Sequence, residues 1–150
     1  MTTQVIEQRL RLLLLSLAGL MCVGTMVELW LAGHTKEIIQ LLPFILCGLG
    51  LAAIVAVWHR PGWATIWALR ITMSVAALGS LLGVYEHVSS NLEVVWEVKS
   101  NLTTAAALWE AVRGAAPLLA PGILALIALM AIAATYYHPA LGNRSDIKSV

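Results

Sequence analysis

Charged residues are scarce in this chain. Only 11% of the 150 residues are Asp, Glu, Lys or Arg, whereas 60% are hydrophobic. A soluble domain normally carries about a quarter charged residues and turns polar helix faces to water. The composition therefore excludes an ordinary soluble protein and predicts a single membrane domain over residues 1–150. The net charge of +1 provides no basic field, so nucleic acid is excluded as a partner.

Cysteines are few, and the common catalytic motifs are absent. Cys22 and Cys47 both lie in apolar runs, without a CxxC or a Cys/His cluster. We expect them to be small packing residues near the middle of the membrane, although a disulfide between neighbouring helices is geometrically conceivable. The sequence has no Walker A loop, GxSxG, HExxH or CxxCH motif. No cofactor and no metal are predicted, and an enzyme is the less favoured class.

Long apolar runs make up most of the sequence. A membrane helix needs about 20 mostly apolar residues, and four runs meet that requirement. The links that follow the first and second runs are short, so they force antiparallel neighbours. The predicted fold is an all-α integral membrane protein with four transmembrane helices in an up-down bundle. The predicted spans are residues 12–32, 38–58, 64–85 and 116–137.

Lysine and arginine are unevenly divided between the two ends of these spans. Three basic residues fall on the side that holds most of the acidic residues, and six fall on the other side. The positive-inside rule then places both termini in the cytoplasm, including a tail at 138–150. We expect a multi-pass protein of a bacterial inner membrane, with the lipid bilayer as its partner. The six basic residues are Arg9, Arg11, Arg60, Arg70, Arg144 and Lys148.

The connection between the third and fourth spans, residues 86–115, is too long for an ordinary unstructured loop. Apolar residues recur in it at helical spacing, first around Leu92 and Trp96 and then around Leu102 and Trp109. This pattern predicts one or two short amphipathic helices that lie on the outer interface and cap the bundle. A hairpin in water, clear of the lipid, is the alternative.

Polar side chains inside or just above the spans are the candidates for chemistry. A rise of about 1.5 Å per residue puts Glu28 and Ser80 at the same depth, about 24 Å from the inner ends. Gln40 and Pro121 lie near the outer ends of their spans. The sequence therefore predicts a polar or ion-binding site in the outer third of the bundle. Its candidate residues are Glu28, Gln40, Ser80, His87, Glu86 and His34.

An ionised carboxylate in hydrocarbon costs a few kcal/mol, so the presence of Glu28 inside a predicted span needs an explanation. In one interpretation it handles a proton or a cation at the base of an outer-facing cavity. A metal site that uses Glu28, His87 and either His34 or Glu86 is a narrower form of this interpretation. In the other interpretation Glu28 joins helices by a hydrogen bond to Gln40 or Ser80, and His87 lies in headgroup water.

Arg70 is the one basic residue placed inside a span. It lies about 15 Å below Glu28 along the membrane normal, which is too far for an ion pair. We predict that it reaches the inner lipid phosphates beside Trp63 and Trp67 and acts as a headgroup anchor.

Small residues that allow close helix contacts are plentiful, as in the Gly79-xxx-Gly83 pattern. With no catalytic motif, they favour a non-enzymatic accessory or interaction subunit that forms a homo-oligomer or joins a larger membrane partner. The alternative is a small transporter or sensor in which Glu28 handles a proton or cation. A metal- or redox-dependent membrane enzyme that uses His87 is the third hypothesis.

Overall fold

The structure is a computed structural model that describes residues 3–99, 101–114 and 119–142. The regular structure of these residues is entirely helical, which confirms the all-α prediction. The chain forms α1 (Thr3–Leu31), a 3₁₀ turn (Ile38–Leu41), α2 (Leu42–His59), α3 (Trp63–Val98), α4 (Thr104–Val112), α5 (Leu119–Ala134) and α6 (Pro139–Gly142).

Three stretches are long and apolar enough to cross a membrane: Thr3–Leu31, Ile38–His59 and Trp63–Val98. These three apolar helices support a membrane location. The fourth predicted span is not confirmed: among the described residues it contains α5, which has 16 residues and is about 24 Å long. The hydrocarbon core of a bilayer is about 30 Å thick. Predicted span residues 116–118, and tail residues 143–150, lie outside the described residues.

The helices pack around an apolar core. Both α1 and α3 pack against α2 and α5. Cys22 and Cys47 are free thiols buried in this core, which fits the packing role predicted for them. The outward faces of the helices are also apolar, with Leu20, Ile71 and Leu78 each at least 60% exposed. Helices that are apolar on all sides are stable in lipid rather than in water.

Glycines on α3 set its distance from two neighbours. A Cβ atom at Gly79 would lie 2.7 Å from Cδ1 of Leu46 on α2, and one at Gly83 would lie 3.1 Å from Cβ of Pro121 on α5. The predicted small-residue pattern is therefore used for packing within the chain, because it lets both neighbours approach α3 closely.

The third helix is longer than the predicted span. We expected it to end at Tyr85, but α3 continues without a break to Val98. Residues 86–98 contain no glycine or proline, so nothing in the sequence stops the helix when it becomes more polar. Likewise, α1 begins at Thr3, before the predicted start at residue 12.

A helical hairpin is formed by the end of α3 and α4, within the segment predicted as an outer cap. Thr103 starts α4, where its Oγ1 accepts a hydrogen bond from the Ala106 amide. The hairpin is closed by the Asn91 Nδ2 atom, which donates to the Ala111 carbonyl at 2.9 Å. The short helix predicted for this segment is thus present as α4, whereas the other predicted helix is an extension of α3.

Candidate functional site

A cavity of about 640 Å³ lies between α1, α2, α3 and α5, at the end of the bundle where α1 stops and α2 begins. We call this end the His87 end. The structure brings all six predicted site residues to this one cavity. The lining includes Glu28, His34, Gln40, Ser80, Glu86 and His87.

Helical periodicity explains why several α3 residues line the cavity together. Ser80, Gly83, His87 and Ser90 follow one another at intervals of three or four residues, which puts them on one face of α3. On α1, Thr25 lies three residues before Glu28 and shares its face. Each helix therefore contributes a short polar stripe to an otherwise apolar wall.

Gly33 brings His34 to the cavity. It has a φ of +67°, a conformation that glycine adopts without steric cost. The His34 amide donates to the Leu29 carbonyl at 2.9 Å, and the Gly33 amide donates to the Trp30 carbonyl at 3.0 Å. This pair of bonds is the Schellman motif that ends many helices. It reverses the chain at the end of α1 and turns His34 back toward α3.

Two histidines lie close to each other in the lining of the cavity. The ring centroids of His34 and His87 are 6.4 Å apart, with their planes tilted by 34°. The Nδ1 atom of His87 is buried and has no hydrogen-bond partner among the described residues. One histidine of the lining thus has a ring nitrogen without a partner among the described residues.

The charged lining of the cavity is acidic. Glu28, Glu37 and Glu86 contribute three carboxyl groups, and no lysine or arginine is among the described lining residues. The hydroxyl of Thr25, a residue only 5% exposed, has no hydrogen-bond partner among the described residues. An acidic cavity with unpartnered polar atoms has the chemistry of a binding site for a cation that can also donate hydrogen bonds.

The predicted hydrogen bond from Glu28 to Gln40 or Ser80 is absent. The Gln40 Oε1 atom accepts from the Lys36 amide at 2.9 Å, and the Ser80 hydroxyl donates to the Pro121 carbonyl. Ser80 faces α5 because Gly83, one turn later, lets Pro121 approach α3 closely. Helices α3 and α5 are therefore joined without Glu28, whose carboxyl group has no partner among the described residues.

The geometry does not support the metal-site form of the hypothesis. Within residues 3–99, 101–114 and 119–142, no three His, Cys, Asp or Glu side chains come close enough together to hold a metal ion. His34 and His87 approach each other, but no carboxylate of the described residues joins them as a third ligand.

Arg70 has a partner within the chain, which the sequence reasoning missed. Its Nε donates to the Thr135 Oγ1 at 3.1 Å, and its Nη2 donates to the Thr135 carbonyl at 2.8 Å. The guanidinium also lies 5.5 Å from the centre of the Trp67 ring, and Trp63 packs beside Trp67. Arg70 thus binds the end of α5, while its predicted contact with lipid headgroups stays a prediction.

Three polar residues of the lining were not predicted: Thr25, Glu37 and Ser90. Two of them could have been found, because Thr25 precedes Glu28 by three residues and Ser90 follows His87 by three. Those intervals put each pair on a shared helix face. The position of Glu37 depends on the turn at Gly33, which has no such periodic signal.

Comparison with known proteins finds no matching family model, no matching curated protein and no matching solved structure. The function therefore has to be inferred from the geometry of the cavity.

Proposed function

We propose that this is a multi-pass membrane protein that binds a small organic cation in the cavity at the His87 end, as a sensor or transporter does. The observation that carries the proposal is the acidic lining, in which Glu28, Glu37 and Glu86 are accompanied by two histidines but by no lysine or arginine among the described residues. Carboxylates form their strongest hydrogen bonds with cationic donors such as ammonium groups.

The size and the apolar walls of the cavity support an organic ligand over a bare metal ion. A volume of about 640 Å³ lies within the range of about 300–1,000 Å³ that is typical of small-molecule sites. Leu29, Leu46 and Leu124 provide apolar surface for the body of such a ligand. Thr25, Gln40 and the carboxylates would then bind its charged, hydrogen-bonding end.

The core next to the cavity favours a sensor over an open channel. Cys22, Cys47, Met73 and Ile127 are each at most 1% exposed and fill the centre of the bundle. A ligand that enters from the His87 end therefore meets a closed apolar layer. Transport through this layer would require a second conformation, whereas binding and sensing would not.

The membrane arrangement belongs to the same proposal. Arg70 bonds to Thr135 and Ser80 bonds to Pro121, so α5 runs antiparallel to α3. We propose α5 as a fourth crossing, which gives an up-down bundle with both termini on one side of the bilayer. The positive-inside rule would make that side the cytoplasm of a bacterial cell and would open the cavity to the opposite side.

The test is direct binding to purified protein in lipid nanodiscs. Isothermal titration with the diamine putrescine should give a saturable signal, and the neutral diol butanediol, of the same chain length, should give none. The Glu28→Gln variant should weaken putrescine binding by about tenfold or more, because it removes a charge-assisted hydrogen bond. Glu93→Gln is the matched control, since Glu93 is an exposed residue of α3 outside the lining.

Equal binding of putrescine by the wild type and the Glu28→Gln variant would contradict the proposal. A complete lack of amine binding would favour the competing hypothesis of an accessory subunit. That hypothesis requires a stoichiometric partner or a homo-oligomer to be recovered from native membranes in mild detergent. Uptake of labelled putrescine into proteoliposomes would separate a transporter from a sensor.

A further inference from the structure

A second cavity lies at the opposite end of the bundle, which we call the Arg11 end. It has a volume of about 170 Å³ and lies between the first turns of α1, the end of α2 and the end of α5. Its polar lining is provided by Gln8, Arg11, Thr135 and His138, and Trp58 covers one side. It is separate from the acidic cavity and has the opposite electrostatic character.

Two guanidinium groups are fixed beside this cavity. Arg11, whose side chain is 17% exposed, donates from Nη2 to the Tyr137 carbonyl at 2.8 Å. Arg70 donates to Thr135, a residue of the lining. The nearby acid is Glu7, which is 54% exposed and lies 3.4 Å from Arg11, so it neutralises one of the two guanidinium charges only weakly. Among the described residues, the two arginines thus keep free donor atoms, and Glu7 offsets little of their positive charge.

The pKa of His138 reflects the same excess of positive charge. Its pKa is lowered by burial and, further, by the nearby Arg11 and Arg70. In its neutral form, the Nδ1 atom accepts a hydrogen bond from the Ala140 amide at 3.2 Å. A bound anion would therefore relieve the repulsion between the two guanidinium groups of this end.

Aromatic side chains mark the depth of this cavity in the bilayer. Trp58, Trp63 and Trp67 are 40–47% exposed at the same end, and Tyr136 and Tyr137 are more exposed still. Tryptophan and tyrosine concentrate at the level of lipid headgroups. An anion that reaches the cavity at this depth would most readily come from the headgroup of a phospholipid.

We propose that the cavity at the Arg11 end binds the phosphate of an anionic phospholipid and thereby stabilises the attachment of α5 to α1 and α3. Guanidinium groups suit this role because they bind phosphate oxygens with directed, charge-assisted hydrogen bonds. The proposal rests on this second cavity alone, so its test does not depend on whether amines bind at the His87 end.

The test is the thermal stability of detergent-solubilised full-length protein with added lipid. Phosphatidylglycerol should raise the melting temperature by at least about 3 °C, because a ligand that binds only the folded state stabilises it. Phosphatidylcholine should not. Arg11→Gln should lose most of the rise, and Arg11→Lys should keep part of it. Arg9→Gln is the matched control and should respond like the wild type, since Arg9 is exposed on α1 outside the lining.

Retention of bound lipid in native mass spectrometry provides a second measurement if Arg11→Gln is too unstable to melt cleanly. The wild type should retain phosphatidylglycerol over phosphatidylcholine, and the Arg11→Lys variant should retain less of it. An equal response of the wild type and the Arg11→Gln variant would overturn the proposal. An equal rise with inorganic phosphate would show that a free anion, and not a lipid, is the ligand.

Discussion

Thr25 is a buried threonine in the lining of the acidic cavity, and its hydroxyl group has no hydrogen-bond partner among the described residues. Burying a hydroxyl in this way costs about 1–3 kcal/mol. Valine has almost the same shape and no hydroxyl, so Thr25→Val should raise the melting temperature of the ligand-free protein. The same change should weaken putrescine binding, because the ligand loses a hydrogen-bond partner.

Thr135→Val is the matched control for this substitution. The Thr135 hydroxyl accepts from Arg70 and donates to the Ile132 carbonyl. Its removal should therefore lower the melting temperature while amine binding is unchanged. If Thr25→Val left putrescine affinity at the wild-type value, the hydroxyl would have no part in binding.

Some contacts of a residue depend on its depth along the helix axis, and others depend on how the helix is rotated about that axis. Only the depth can be predicted from the sequence. Depth follows from counting residues along a helix; it put Glu28 and Ser80 at one level, and both line one cavity with His87. The hydrogen-bond partner of Ser80 depends on how α3 is rotated toward α5. The sequence does not fix that rotation, because small residues occur on several faces of α3. The bond from Ser80 to Pro121 could not be predicted for this reason.

At the scale of the helices, the sequence did not predict where α3 ends. The hydropathy of the third apolar run falls after Tyr85, yet α3 continues to Val98. Backbone hydrogen bonds continue a helix in water as well as in lipid, as long as no proline or glycine stops it. The all-α fold class depended only on long apolar runs, and for that reason it was predicted correctly.

The hairpin of α3 and α4 contains a close contact between Gly114 and Asn91. A Cβ atom at position 114 would lie 2.5 Å from Cγ and 2.8 Å from Cβ of Asn91. Because the Asn91 Cβ is attached directly to the backbone, the side chain cannot move aside freely. Gly114→Ala should break the hydrogen bond from Asn91 to Ala111 and destabilise the hairpin by about 1–3 kcal/mol.

Hydrogen–deuterium exchange measures this local effect directly. Amides of α4 should exchange faster in the Gly114→Ala variant, whereas those of α1 and α2 should not change. Gly48→Ala is the control, because a Cβ atom there has no other side chain within 4 Å and alanine favours a helix. Unchanged exchange in α4 would show that the backbone accommodates the methyl group without losing the hydrogen bond.

At the scale of the whole molecule, the two cavities differ in charge and lie at opposite ends of one apolar core. The His87 end presents three carboxyl groups, and the Arg11 end presents two arginines and a histidine near exposed aromatic residues. This polarity matches the positive-inside rule, under which basic residues stay in the cytoplasm. If both proposals hold, the same polarity would put amine binding on one side of the membrane and lipid binding on the other.

Whether α5 crosses the membrane decides the side on which the chain after it lies. Its 16 residues are about 24 Å long, and local thinning of the bilayer can accommodate a helix that is a few ångströms short.

We expect introduced cysteines at Gln4 and Gly142 to share one side and a cysteine at Glu93 to face the other. In sealed cells, a membrane-impermeant maleimide should label Glu93→Cys, and it should label Gln4→Cys and Gly142→Cys only after permeabilisation. The native Cys22 and Cys47, at most 1% exposed, should stay unlabelled. Labelling of Gly142→Cys in sealed cells would show that only three helices cross.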